Sequence, residues 1–319
     1  MQTFDDFKFS PTVEKVVIRL QGGLGNQMFQ YALGETIKQI NGLDIEYLCV
    51  EKPFFGKTTV TKRKLDIKDF SQVDSRSIST IKNLFGRSNF ESVVRNRYAR
   101  NQVEVKKEFE QTKKNQPLTL RSKVVALEGY WQSEYLFLPS KHHILSTYMR
   151  IRRPSDSFKK LSRFISEEGA IGIHIRRGDY VSHEKSNRFH GVCSQEYFDK
   201  SMAFLTGRVG NRPIVIFSDD PTWTRSNIVK SNRILISDEY QLRASEELLL
   251  LSKCSNLVLS NSSFSWWGAY LREESDSRTS IIVAPDPWFK LAAHPSISRK
   301  HWVQRDIQSG LDSKWCDTE

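Results

Sequence analysis

Four short segments of this chain concentrate side chains able to bind an anion or move a proton. The densest is His174-Ile175-Arg176-Arg177-Gly178-Asp179-Tyr180. Two adjacent guanidinium groups after an apolar run are hard to explain as packing, because charged groups are seldom buried alone and their forks match phosphate oxygens. One of the pair is expected to hold a phosphate. Asp179 either pairs with an arginine or serves as a carboxylate base, and the residues alone leave both readings open. Asn261-Ser262-Ser263-Phe264-Ser265 supplies amide and hydroxyl groups suited to capping a helix and holding a phosphate, although an ordinary N-cap fits the same residues. Asn261 also fits a glycosylation sequon, which carries little in a chain with no secretory signal. Phe217-Ser218-Asp219-Asp220 reads as a ligand-side turn rather than a metal motif. Gly22-Gly23-Leu24-Gly25-Asn26-Gln27 lets the backbone approach a ligand at a helix N-terminus. It matches neither the dinucleotide fingerprint, which wants a third glycine where Met28 stands, nor a P-loop, which wants a Lys-Ser/Thr pair.

Stepwise alternation of strand and helix must position these segments. Val16 to Leu20 is a β-branched run that ends in the glycine turn, and Asn26 to Ile40 carries Met28, Phe29, Ala32, Leu33 and Ile37 at helical spacing. Ile45 to Val50 reads as the next strand, which makes a βαβ unit and a parallel sheet. Val124 to Leu127 is another strand; it leads into Glu128-Gly129-Tyr130-Trp131-Gln132-Ser133-Glu134 and a helix toward Arg153. Ile171 to Ile175, Ile214 to Phe217, Ile234 to Ile236, Leu257 to Leu259 and Ile281 to Val283 are continuous apolar runs, as strands covered on both faces are. In such sheets ligands bind beyond the carboxyl ends of the strands, where all four segments fall. At 319 residues the chain exceeds one core, so two domains are expected, 1–154 and 155–319, with Pro154 marking the linker. Between Lys57 and Lys123 the sequence is polar and basic, with weak amphipathic helical stretches and no strand assigned.

The net charge is +11 and the pI about 9.4, which implies an anionic partner. Clusters such as Lys62-Arg63-Lys64 and Lys113-Lys114 read as solvated surface. No RNP, zinc-finger or helix-turn-helix signature accompanies them, so nucleic acid is not expected as the partner. Cys49, Cys193, Cys254 and Cys316 are widely spaced and read as reduced thiols. The N-terminus is polar and no apolar run reaches the ~18 residues of a span, so neither signal peptide nor anchor is expected. The expectation is a cytoplasmic enzyme whose basic surface makes peripheral contact with an anionic membrane.

VIRLQGGLGNQMFQYA, GIHIRRGDYV, VIFSDD and NSSFSWWGAYL follow in this order from about Val16 to Tyr270, and together they resemble the α-1,2-fucosyltransferase family. The resemblance implies a GT-B-like pair of Rossmann-like domains facing across a cleft. The first would be the acceptor side, the second would bind the donor, and the last helix would return to the first. It implies GDP-fucose as donor substrate, a galactose-terminated glycan as acceptor, inversion at the anomeric carbon, and no required metal or cofactor. Arg176 would bind the diphosphate and stabilise its charge, with His174 and Asp219 on the nucleotide side and Ser262 and Ser263 facing the phosphates. Glu247 stands where the family usually carries an Asp that looks like a guanine contact. Gly23, Gly25, Asn26 and Gln27 would face fucose and acceptor, and Asp179, then Glu184, are the choices for the base. Further acceptor contacts are expected between Lys57 and Lys123. A glycosyltransferase for another nucleotide sugar would need the same arginine and serine elements, while an inactive carbohydrate-binding relative would bind sugar without turnover.

Overall fold

A computed structural model of the chain describes residues 3–51, 64–82, 89–98, 102–108, 118–182, 184–229, 233–275, 279–291 and 296–313. The chain divides into two compact units, Met1–Arg150 and Ile151–Glu319. Among the described residues no helix is long and apolar enough to cross a membrane.

In the first unit the strands are β1 (Phe7–Phe9), β2 (Lys15–Arg19), β3 (Asp44–Glu51), β4 (Ile78–Lys82), β5 (Val103–Lys107), β6 (Leu118–Leu120) and β7 (Val124–Glu128). Five of them form a parallel sheet in the order β4-β3-β2-β7-β5, and β1 pairs with β6 apart from it. β2 is central, and its Val16, Val17 and Ile18 are fully buried. The Leu24–Asn41 helix follows, burying Met28, Phe29, Ala32, Leu33 and Ile37. It stops at Gly42, whose left-handed φ of 67° lets its N–H reach the Lys38 carbonyl. β4 and β5 lie at the two edges of the sheet, inside the stretch where the sequence assigns no strand. The physical reason is that edge strands tolerate lysine and threonine, so Ile78–Lys82 and Val103–Lys107 lack the apolar run of a covered strand.

Gly34 of that helix is fixed by packing. A Cβ there would lie 2.4 Å from Tyr47 Oη. Tyr47 is fully buried, stacks on Tyr31 at 4.6 Å, and donates its hydroxyl to Glu35 Oε1 at 3.0 Å, so the ring cannot swing away cheaply. Gly34→Ala should therefore destabilise the protein by about 1–3 kcal/mol, the usual cost of overpacking, despite the better helix propensity of alanine. Urea unfolding checks this; an unchanged midpoint would mean that the tyrosine pair can shift.

The second unit carries β8 (Ile171–Ile175), β9 (Ile214–Ser218), β10 (Arg233–Leu235), β11 (Asn256–Val258), β12 (Ile282–Asp286) and β13 (Val303–Asp306). All are parallel, in the order β10-β9-β8-β11-β12-β13. Counted from β8, this is the common doubly wound order, in which strand direction of progression reverses between the first and fourth strands, here β8 and β11. β8 and β9 are buried at every position, as their continuous apolar runs require. Ile171, Ile173, Ile214, Ile216 and Val258 form one core with Tyr197, Phe198 and Leu205 of the Gln195–Val209 helix. The Ser263–Ser275 helix packs on the Ala244–Lys253 helix within this unit. The final helix expected to return to the first domain has no counterpart among the described residues, which end in β12 and β13; residues 314–319 lie outside them. Both units are thus Rossmann-like α/β structures with parallel sheets.

Candidate active site at the carboxyl edge of the second sheet

A reversal such as that between β8 and β11 is where α/β sheets bind ligands, beyond the carboxyl ends of the strands, and most of the expected donor-site residues lie at those ends. His174, in β8, is buried and its Nδ1 lies 2.8 Å from Ser260 Oγ, which follows β11. Its ring stacks on Phe264 at 5.0 Å. Burial, and then the neighbouring positive charge of Arg176, press its pKa from 6.5 down to about 3. The imidazole is therefore neutral at any physiological pH and acts as a polar wall rather than a charge.

That depression has a sign that can be tested. Because the folded value lies below the unfolded one, the unfolded chain takes up the proton first as pH falls. The stability that His174 contributes is complete above about 6.5 and is lost as pH drops toward about 3. Thermal unfolding between pH 7 and pH 4 should fall less steeply in His174→Asn than in the parent, by up to about 1.4 kcal/mol per pH unit. Parallel curves would contradict the buried neutral imidazole.

Arg176 and Arg177 follow β8 directly, and each meets an aspartate that follows β9. Arg176 Nη1 lies 2.9 Å from Asp219 Oδ2, with its guanidinium over the Tyr180 ring at 5.5 Å. Asp219 Oδ1 accepts the backbone N–H groups of Arg177 at 2.8 Å and Gly178 at 3.2 Å. One carboxylate thus sets both the arginine side chain and the turn that carries it. Gly178 is dictated by the same approach, since a Cβ there would stand 2.8 Å from Asp219 Oδ2. The Arg177 guanidinium lies over the Trp223 ring, 3.8 Å from its centre, with Nε 3.6 Å from Asp220 Oδ2. Of the two arginines, Arg177 is the one wedged against protein and Arg176 the one held by its tip.

The loop after β11 is organised by side chains that turn inward. Asn261, 1% exposed, donates Nδ2 to the carbonyls of His190 at 2.7 Å and Trp288 at 3.3 Å. Its amide is committed to the scaffold, which corrects the expectation of a ligand contact and also removes it as a glycosylation site. Ser262 Oγ accepts the Phe264 N–H at 3.3 Å, and Ser263 opens the Ser263–Ser275 helix. Both serines therefore sit at a helix N-terminus, where N–H groups and the helix dipole favour an anion. Glu247, in the Ala244–Lys253 helix, is raised to about 7 by burial, against a hydrogen bond from Ser237. Ser237 Oγ in turn accepts the Ser218 N–H at 2.9 Å, which ties Glu247 to the end of β9. Asp179 and Glu184 begin or lie in the short helices Gly178–Ser182 and Glu184–His190. Their side chains lie outside the described residues.

In the first unit the glycine turn lies at the corresponding reversal, between β2 and β7. Gly22 has φ 79°, and a Cβ there would strike Asn26 Nδ2 at 2.5 Å; a Cβ on Gly23 would meet nothing within 4 Å. Gln27, expected to face a ligand, turns into the protein at 2% exposure and donates to the Gly22 and Lys64 carbonyls while accepting from Ile67. Gln30, which the sequence did not single out, ties Gln21 N–H to the Gly129 carbonyl. Asn26 accepts from Gln132 Nε2 at 2.6 Å. Ser260 and Trp223 in the second unit, and Gln30 in the first, are the residues at these turns that sequence reasoning missed. Among the described residues no three His, Cys, Asp or Glu side chains are placed to share a metal ion.

Paired arginines and hydroxyls at the switch point of a parallel α/β unit suit an anionic ligand such as a phosphate, and comparison with known proteins gives the class of the chain as a glycosyltransferase. The chain belongs to Glycosyl transferase family 11, the α-1,2-fucosyltransferase family, which matches residues 8–306. It is 31% identical to an alpha-1,2-colitosyltransferase of Escherichia coli over 282 residues, 86% of this chain and 92% of that protein. It is 26% identical to the O-antigen biosynthesis glycosyltransferase WbnK of Escherichia coli, over 89% of this chain and 98% of that one. Galactoside alpha-(1,2)-fucosyltransferase 2 of Hylobates lar is 24% identical over 56% of this chain and 54% of its own. Among solved structures, POFUT1 in complex with GDP-fucose aligns with a TM-score of 0.43 at 12% identity, over 86% of this chain and 99% of that one.

Proposed function

We propose that this glycosyltransferase moves L-fucose from GDP-fucose to the 2-hydroxyl of a galactose, with inversion at the anomeric carbon. The observation that carries the reading is Arg176 held by Asp219 at the β8–β11 switch point, beside the serine-bearing N-terminus of the Ser263–Ser275 helix. The second unit is assigned the donor and the first the acceptor. As the bond from C1 to the diphosphate oxygen breaks, the electron pair leaves with GDP and the sugar becomes oxocarbenium-like. Arg176, Ser262 and Ser263 stabilise that growing negative charge, which a preformed donor set does without reorganising. The acceptor oxygen attacks C1 from the opposite face and gives its proton to a base, assigned first to Asp179 and second to Glu184. His174 supports the nucleotide side as a neutral group. Glu247, once ionised, suits the N–H donors of guanine.

A second reading has colitose as the sugar transferred, and the 31% identity to an alpha-1,2-colitosyltransferase favours it. Colitose is fucose without its 3-hydroxyl, so the two donors differ by one polar group. Incubation with GDP-fucose and GDP-colitose, each against a panel of β-galactosides, decides between them, and product linkage by NMR tests the 2-position and the inversion. Transfer from neither donor overturns both readings. In either case activity should survive EDTA, because Arg176 supplies the positive charge at the diphosphate; complete loss restored by Mg²⁺ or Mn²⁺ would place a metal there instead.

A further inference from the structure

The segment Gly129 to Tyr135 is built at a cost that the donor chemistry does not explain. It follows β7 at the switch point of the first sheet, alongside the glycine turn that follows β2. Trp131 holds a left-handed φ of 55°, an unfavourable conformation for a bulky side chain, while its ring is 1% exposed and packs edge-on against Phe7 at 5.8 Å. Glu108 sits behind the loop and its carboxylate accepts the consecutive N–H groups of Tyr130, Trp131 and Gln132, although burial raises its pKa. Gly129 has no room for a Cβ, which would lie 2.5 Å from that of Glu108. Gln30 clamps the Gly129 carbonyl at 2.9 Å and Gln132 reaches Asn26 at 2.6 Å.

The outcome of these fixings is that Trp131 is buried while Tyr130 and Tyr135, on either side of it in the loop, are partly exposed, at 45% and 40%. Two partly exposed aromatics on a loop this constrained offer a preformed surface to a ligand. Gln132, two residues along the loop from Tyr130, donates its amide to Asn26 of the glycine turn, which joins the two segments. An aromatic face flanked by amides suits a pyranose, which presents an apolar C–H face ringed by hydroxyl groups.

We infer that the loop from Gly129 to Tyr135 is the platform for the acceptor galactoside, with Tyr130 stacking on the sugar and Gln132 and Asn26 meeting its hydroxyls. The inference rests on the proposed galactoside acceptor. It is tested by initial rates at saturating GDP-fucose across acceptor concentration for the parent, Tyr130→Ala and Tyr130→Phe, with GDP affinity by calorimetry and thermal unfolding alongside. Tyr130→Ala should raise the acceptor KM about tenfold, the loss of one well-placed aromatic contact, while GDP affinity and unfolding stay unchanged. Tyr130→Phe, which keeps the ring, should stay within about twofold of the parent. An unchanged KM in Tyr130→Ala, or a KM change matched by an equal loss of GDP affinity, overturns the platform even if the parent transfers fucose. If the parent transfers no sugar, the functional reading fails separately. Saturation-transfer NMR with a β-galactoside alone then decides the platform: signal in the parent that Tyr130→Ala abolishes supports it, and equal signal in both, or none in the parent, overturns it.

Discussion

Arg176→Ala is expected to lower kcat by about 10²-fold or more and to weaken GDP binding, while the protein remains folded. Removing one preorganised donor from a site of developing charge typically costs about 10²–10³ in rate, or roughly 3–4 kcal/mol. Arg176 meets that description because its side chain is only one-fifth exposed and its guanidinium is already placed against Asp219 and over Tyr180. Arg176→Lys should rescue little, since an ammonium is a point charge without the planar fork. Steady-state kinetics beside calorimetry checks this. Near-normal rate and affinity in Arg176→Ala would remove Arg176 from the diphosphate site and leave Arg177 as the alternative, although its guanidinium packs over Trp223.

Asp219→Ala should produce a loss nearly as large without touching the ligand. Its carboxylate aims Arg176 and accepts two backbone N–H groups of the turn after β8, so the substitution removes a restraint on the arginine and an acceptor from the turn. We expect kcat to fall by about 10–10²-fold. The decisive readout is the double variant: if Asp219 acts through Arg176, Arg176→Ala with Asp219→Ala should be scarcely slower than Arg176→Ala alone, because residues that act as a unit are not additive. Additive losses would mean that Asp219 contacts the nucleotide itself, as the sequence suggested.

The β8 motif shows what was legible beforehand. Ile171 to Ile175 reads as a covered strand from composition alone, and two arginines after such a strand point outward from a carboxyl edge whatever the details of packing. What no local pattern carries is the partner of each charge. Asp219 is 43 residues from Arg176, and Ser260 is 86 from His174, so these contacts exist only once strand order is fixed. Asn261 and Gln27 failed in the opposite sense. Their polar side chains beside a motif suggest ligand contacts, but buried loop carbonyls also need donors, and in both places that demand prevailed. The edge strands β4 and β5 escaped notice because half of their surroundings are solvent, which relaxes the apolar pattern that reveals a central strand.

The pairing of Arg176 with Asp219 and Arg177 with Asp220 bears on how the enzyme lets go. Two arginines and two aspartates make the quartet formally neutral, so the chain's net charge of +11 is carried elsewhere on its surface. A bare guanidinium left in a half-buried crevice would bear a desolvation cost each time GDP departed, and that cost would slow departure. Here each arginine keeps a resident carboxylate as counter-ion when the site empties. On the proposed function, a departing diphosphate would therefore leave no bare charge behind it, and its release should be faster than from a site of two unpaired arginines.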